Sequence, residues 1–231
     1  MLERLAPPSA AESLSRPRYL YDQALAEPDT AVTLVEREQT RIFALLPLHL
    51  GIADPLGDEG ARLGAAAAMP TAASLLAAVT NFLSDLADTG ASRETLERVA
   101  DRQAANTLLQ GLHEAMAEFA GKLAQTAETP AMQMLSGNLG EGLGALLLTA
   151  EEGLRTGNIE DLLLVQQLTA DRDSLVDTLR RRAMATEQGL PGPDQELLYG
   201  LTSLFERIVW MLRRFAAAAV AQAERRAEAE A

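Results

Sequence analysis

Leu197, Leu201, Leu204, Ile208, Met211 and Phe215 recur at steps of three and four residues. That spacing collects side chains on one face of an α-helix, whereas a strand would scatter them over both faces. A second stripe, Leu96, Val99, Leu109, Leu112, Met116, Phe119 and Leu123, follows the same rule. Gln103 and Asn106 interrupt it, so buried polar pairing is expected there. The apolar 48% of the chain is carried by Ala and Leu, and aromatics make up only 4%. Ala and Leu lose little side-chain freedom in a helix, whereas β-branched and aromatic residues favour sheet. The fold class is therefore all-α.

Local signals divide the chain. Pro7, Pro8, Pro17 and Pro28 punctuate residues 1–28, which read as a linker. Asp29 is a candidate N-cap for a first helix reaching about Pro47. Its face of Val32, Val35, Ile42 and Leu45 is discontinuous, with Glu36, Arg37 and Glu38 on the solvated side. The Gly51–Gly60 segment leads to a second helix that Pro70 breaks or restarts, ending at Asp88-Thr89-Gly90. Ser92 caps the third, with Glu94 in its first turn where the dipole favours an anion. Thr129-Pro130 opens the fourth, which closes near Gly157. Asn158 caps the fifth, with Asp161 as capping-box partner, and the next turn is Gly189–Pro193. Asp194 and Glu196 start the sixth, whose Ala-, Glu- and Arg-rich tail should fray.

Six helices joined by short turns imply antiparallel neighbours. They group as repeats over about 29–126 and 130–228. Leu96-Glu97-Arg98-Val99-Ala100-Asp101 in the third helix and Phe205-Glu206-Arg207-Ile208-Val209-Trp210 in the sixth are similar strings.

The net charge of −13 repels phosphate backbones, so no nucleic-acid partner is expected. The absence of cysteine excludes disulfides, thiolate metal sites and cysteine catalysis. No secretory signal is visible at the N-terminus. Leu63 to Ser84 is 22 residues without a charge, long enough to span a bilayer, but Pro70, Asn81, its serines and its many alanines favour a buried core helix.

Carboxylates four residues apart share a helix face. Glu97 with Asp101, and Asp173 with Asp177, could supply oxygen ligands to a divalent or iron-type metal; a solvated acidic face is the plain alternative. The histidines are His49 and His113; Leu46 and Gln110 occupy the positions where a Glu-x-x-His motif would need glutamate. Gly137, Gly140, Gly142 and Gly144 lack the strand and the Gly-Lys-Ser/Thr of a phosphate loop, and close helix packing or a locally loosened helix is the better account. Arg180, Arg181 and Arg182, with Arg213 and Arg214, are the dense basic clusters. They are candidates for anion or partner contact, or for pairing with nearby acids. Trp210, the sole tryptophan, is expected to pack between helices, with partner anchoring as the alternative. No catalytic constellation is present, so a binding or regulatory module is expected in place of an enzyme.

Leu201 to Leu204 followed by Phe205-Glu206-Arg207-Ile208-Val209-Trp210 and on to Phe215 resembles the last helix of PhoU-like domains, where a Leu-Glu-Arg-Ile-Gly-Asp pattern is typical. Leu96 to Asp101 resembles the same pattern in a first repeat. Arg16-Pro17-Arg18-Tyr19-Leu20, with Ala24, Leu25 and Pro28, resembles the connector after the last membrane helix of bacterial sodium/phosphate cotransporters. The resemblance covers nearly the whole chain. It implies two tandem three-helix bundles over residues 29–231. It also implies a non-catalytic cytosolic regulatory or assembly role at the inner face of the plasma membrane, with the transporter's membrane portion as partner; the sequence leaves a homo-oligomer open. A stand-alone PhoU-type phosphate-signalling adaptor and a metal-dependent helical carboxylate enzyme are the alternatives. In the family, Glu/Asp-x-x-x-Asp motifs can hold metal clusters. Glu97 and Asp101 match that motif, whereas Trp210 stands where the second copy expects Asp.

Overall fold

The computed structural model describes residues 14–51, 65–125, 130–171, 176–178, 180–181 and 192–230. Every regular element among them is helical: α1 (Pro28–Phe43), α2 (Ala65–Ala87), α3 (Arg93–Leu123), α4 (Pro130–Thr156), α5 (Ile159–Leu168) and α6 (Gly192–Glu230). Short 3-10 turns at Asp22–Ala26 and Leu46–Leu50 flank α1, and 176–178 and 180–181 are also helical. The chain divides into two compact units, Met1–Gln110 and Gly111–Ala231, with the division inside α3.

In the first unit, Val32, Val35, Ile42 and Phe43 of α1 and Leu75, Val79, Leu83 and Leu86 of α2 are fully buried. The two helices pack on each other, and α2 also packs on the Leu46–Leu50 turn. Ala67–Ala87 is long and apolar enough to cross a membrane, with a mean hydropathy of 1.3. Its buried side chains line the core just described, while Pro70, Ser74, Asn81 and Ser84 face outward. Pro70 does not break α2. It lies near the helix start, where one missing backbone bond is offset by burial of Ala68, Thr71, Ala72 and Leu75. The polar pairing expected on α3 falls on Asn106, whose Nδ2 donates to Leu76 O at 3.1 Å and Thr80 Oγ1 at 2.9 Å; Gln103 is exposed. Gln39 of α1 reaches the same helix, donating from Nε2 to Arg102 O at 2.8 Å.

Asp29 is not the N-cap of α1: the helix starts at Pro28 with Glu27 as its N-cap. Proline suits a first-turn position because its missing N–H would be unpaired there in any case. Asp29 Oδ1 instead accepts from Arg98 Nη1 at 2.8 Å and Thr95 Oγ1 at 3.2 Å, joining the starts of α1 and α3. Ser92 caps α3, accepting from Thr95 N at 3.1 Å. Leu96 lies off the buried stripe and is 39% exposed.

The second unit packs α5 against α4 and α6, and α4 against α6. Leu201, Ile208 and Leu212 of α6, Leu143 and Leu147 of α4, and Val165 of α5 are fully buried. Asn158 Oδ1 accepts from Glu160 N at 3.1 Å, and its Nδ2 donates to Asp161 Oδ2 at 2.9 Å. The cap is as expected, but Asp161 pairs with the capping side chain itself. After Leu168 the chain turns at Thr169, whose hydroxyl donates to Val165 O at 2.7 Å. Thr129 and Gly189–Pro191 lie outside the described residues, as do residues 52–60 of the segment before α2.

The glycines of α4 do not loosen it: the helix is continuous through all of them. Gly153 is in close approach to the start of α5. A Cβ there would lie 3.1 Å from Asn158 O, Asp161 Cβ and Leu162 Cγ. Gly153→Ala should therefore lose about 1 kcal/mol, with a crowding cost of roughly 1–3 kcal/mol outweighing the better helix propensity. Gly142 faces open space, so Gly142→Ala should gain up to about 1 kcal/mol. Urea denaturation of the two variants checks both signs.

Candidate functional site

Among the described residues, a carboxylate-centred or arginine-centred assembly of polar groups in each unit joins separate segments of the chain. The first is a clamp on α1. Its centre is Glu38, which the sequence pattern puts on the solvated face and which is fully buried. Residues 31, 32, 35, 38, 39 and 42 form one helical stripe, and Glu38 with Gln39 fills the gap between Val35 and Ile42. The N-terminal segment covers that gap. Arg18 N and Tyr19 N donate to Glu38 Oε2 at 2.8 and 2.9 Å. Arg41 Nη1 donates to Glu38 Oε1 at 2.6 Å. The same guanidinium continues outward, with Nη2 donating to Leu14 O at 2.8 Å and Nη1 to Arg16 O at 3.4 Å.

Each oxygen of the buried carboxylate thus has a charge-assisted or backbone donor, the condition under which a buried charge is tolerable. Leu14 and Ala24 are buried as well. The described part of the segment that reads as linker is therefore docked on α1, held by backbone bonds that leave no mark in its own composition. The signal available in the sequence is the apolar stripe of α1 with an i, i+3 Glu–Arg pair set into it.

The second assembly lies on α6. Arg180 Nε donates to Thr202 Oγ1 at 2.9 Å and Nη2 to Ser203 Oγ at 3.4 Å. Its Nη1 lies 3.4 Å from Glu206 Oε1 and 3.9 Å from Asp177 Oδ1. The guanidinium also lies 5.6 Å from the centre of the Tyr199 ring. Arg180 thus pins the helical residues around Val176 to α6. Arg181 is exposed and donates to Asp177 O at 3.3 Å. Trp210 does not pack between helices: it is 41% exposed because Ile208, Val209, Met211 and Leu212 occupy the buried side. Arg214 stacks on it, 4.9 Å from the ring centre. Among the described residues, neither Arg213 nor Arg214 forms an ion pair.

Glu97 and Asp101 lie on α3 in the first unit, and Asp177 lies in the second. Glu97 is exposed and bonded to Arg93 Nε at 3.0 Å, Asp101 is exposed on the same helix, and Asp177 is exposed beside Arg180. Asp173 and Arg182 lie outside the described residues. Among the described residues no group of three or more His, Asp or Glu side chains converges as a metal site would require. Glu206, counterpart of Glu97 in the second string, binds Arg180.

Both histidines are buried. Burial lowers the His49 pKa from 6.5 to about 4, which keeps its imidazole neutral. Glu151 of α4 is also buried, and desolvation raises its pKa, while Arg155 at 4.0 Å opposes the shift. Comparison of the chain with protein-family models, with curated proteins and with solved structures returns no match in any of the three.

Proposed function

We propose that this chain is a non-catalytic regulatory or assembly module: the cytosolic PhoU-like region of a sodium-dependent phosphate symporter, working at the inner face of the plasma membrane. In this reading the helices form two tandem three-helix repeats, and the transport pathway lies in a membrane portion preceding Arg16. The observation that carries the reading is the clamp. Arg16–Leu20 is the segment that resembles the transporter connector, and Glu38 and Arg41 bind its backbone directly. A freely jointed leash transmits no bias. An ordered connector lets contacts made by the bundle favour one transporter conformation over another, and only such differential contacts can shift the equilibrium.

The test uses the full-length protein in membrane vesicles. Deletion of residues 29–231 should leave sodium-coupled phosphate uptake measurable while changing its rate or its response to internal phosphate. Glu38→Ala should shift that response in the same direction, because it uncouples the connector and leaves the bundle present. Correctly inserted deletion protein without any uptake would make the bundle part of the transport machinery. A coding sequence without apolar segments ahead of residue 1 would remove the transporter reading outright.

A further inference from the structure

On α6, Tyr199, Ser203, Arg207, Trp210, Arg214 and Ala217 are all exposed. Their spacing of four, four, three, four and three residues places them within about 80° of the helix circumference. Tyr199 to Arg214 covers about 22 Å along the axis. No acid occurs between Glu206 and Glu224 in a chain of net charge −13, and Glu206 is engaged by Arg180. Arg207 and Arg214 form no ion pair among the described residues. The stripe is thus a basic and aromatic strip on an acidic protein, with the Arg180 side chain resting against Tyr199 and Ser203 at its N-terminal end.

We propose that this strip docks the protein onto an anionic lipid surface. Charge complementarity selects a negatively charged occupant. The shape selects its class: an exposed helix stripe is convex, so it meets a flat headgroup layer along its length, whereas helical peptides are received in grooves. Trp and Tyr rings are amphipathic and settle at the headgroup level, and the arginines beside them reach phosphate while their stems cover apolar surface. The protein's other acids do not prevent this. At physiological salt, charges more than about 8 Å away are largely screened, so the local strip sets the sign of the contact. The inference stands on the strip itself and holds whether or not a transporter is attached.

Trp210 is the only tryptophan, so its fluorescence reports the strip alone. The purified chain is mixed with vesicles of phosphatidylserine and phosphatidylcholine in equal parts, or of phosphatidylcholine only. The mixed vesicles should shift the emission to the blue and carry the protein into the pellet, and added salt should reverse both. Arg207→Gln combined with Arg214→Gln keeps the reporter and should weaken binding on the order of twentyfold to thirtyfold, from the contribution expected of two basic residues at such a surface. Arg93→Gln, which removes an exposed arginine from α3, should bind as the parent does. Circular dichroism confirms that each variant is folded. The proposal is overturned if the anionic vesicles cause no shift, if neutral vesicles bind equally, or if Arg93→Gln loses as much as the paired variant. A shift with soluble polyglutamate equal to that with vesicles would identify an acidic polypeptide as the occupant and overturn it as well.

Discussion

Replacing Glu38 by alanine should lower stability by about 3–5 kcal/mol, the cost typical of removing one partner from a buried ion pair. Three donors lose their acceptor at once: the N–H groups of Arg18 and Tyr19, and the Arg41 guanidinium. Arg41 cannot shed its charge, and its side chain is only 10% exposed. Glu38→Gln keeps one acceptor oxygen but not the charge, so it should lose less. Both variants should release the docked segment before the helices melt. Trypsin cleavage after Arg18 should therefore speed up under conditions where far-ultraviolet circular dichroism is unchanged. Equal cleavage rates in the parent and Glu38→Ala would mean that the apolar contacts of Leu14 and Ala24 hold the segment by themselves. Isosteric removal of the whole pair, Glu38→Met with Arg41→Met, is the informative comparison. It should cost less than Glu38→Ala, because no charge is left buried without its partner.

The clamp also marks where sequence reading stops. The α6 stripe is legible because helical periodicity acts within the segment that displays it, and Leu201 and Ile208 are fully buried as that rule requires. The caps at Ser92 and Asn158 are legible for the same reason, since a cap is satisfied two or three residues away. Glu38 is not, because its partners stand 19 and 20 residues earlier in a stretch punctuated like a linker. Composition says only that a carboxylate prefers water; it does not say that two backbone N–H groups will replace that water.

Trp210 departs from expectation in the opposite direction. Large aromatics usually contribute to cores, but Ile208, Val209, Met211 and Leu212 already fill the buried side of this turn, leaving the ring outside with Arg214 stacked on it. The acidic pairs show a third limit. Spacing four apart puts Glu97 and Asp101 on one helix face, but whether that face meets another ligand-bearing helix is a tertiary fact, and both are exposed here.

Acidification should destabilise the protein through His49 before the carboxylates have titrated fully. His49 lies in the Leu46–Leu50 turn against α2, and burial lowers its pKa to about 4, against 6.5 in the unfolded chain. Between those values the unfolded state binds the proton and the folded state does not, so stability falls as pH falls. The His49 contribution is present in full above about pH 6.5. It declines through the window down to about 4, and there amounts to a loss of about 3 kcal/mol, since each tenfold difference in proton affinity between the two states corresponds to about 1.4 kcal/mol. His49→Gln carries no ionisable group and cannot share this dependence, although it should be less stable than the parent at neutral pH because it packs less well. Urea denaturation of both proteins at several pH values separates the effect from the shared carboxylates, whose contributions cancel in the difference. The parent's advantage over His49→Gln should shrink steadily from pH 6.5 towards 4. A difference that stays constant over that range would show that the imidazole becomes protonated without leaving its site, with the Leu46–Leu50 turn opening to water at little cost.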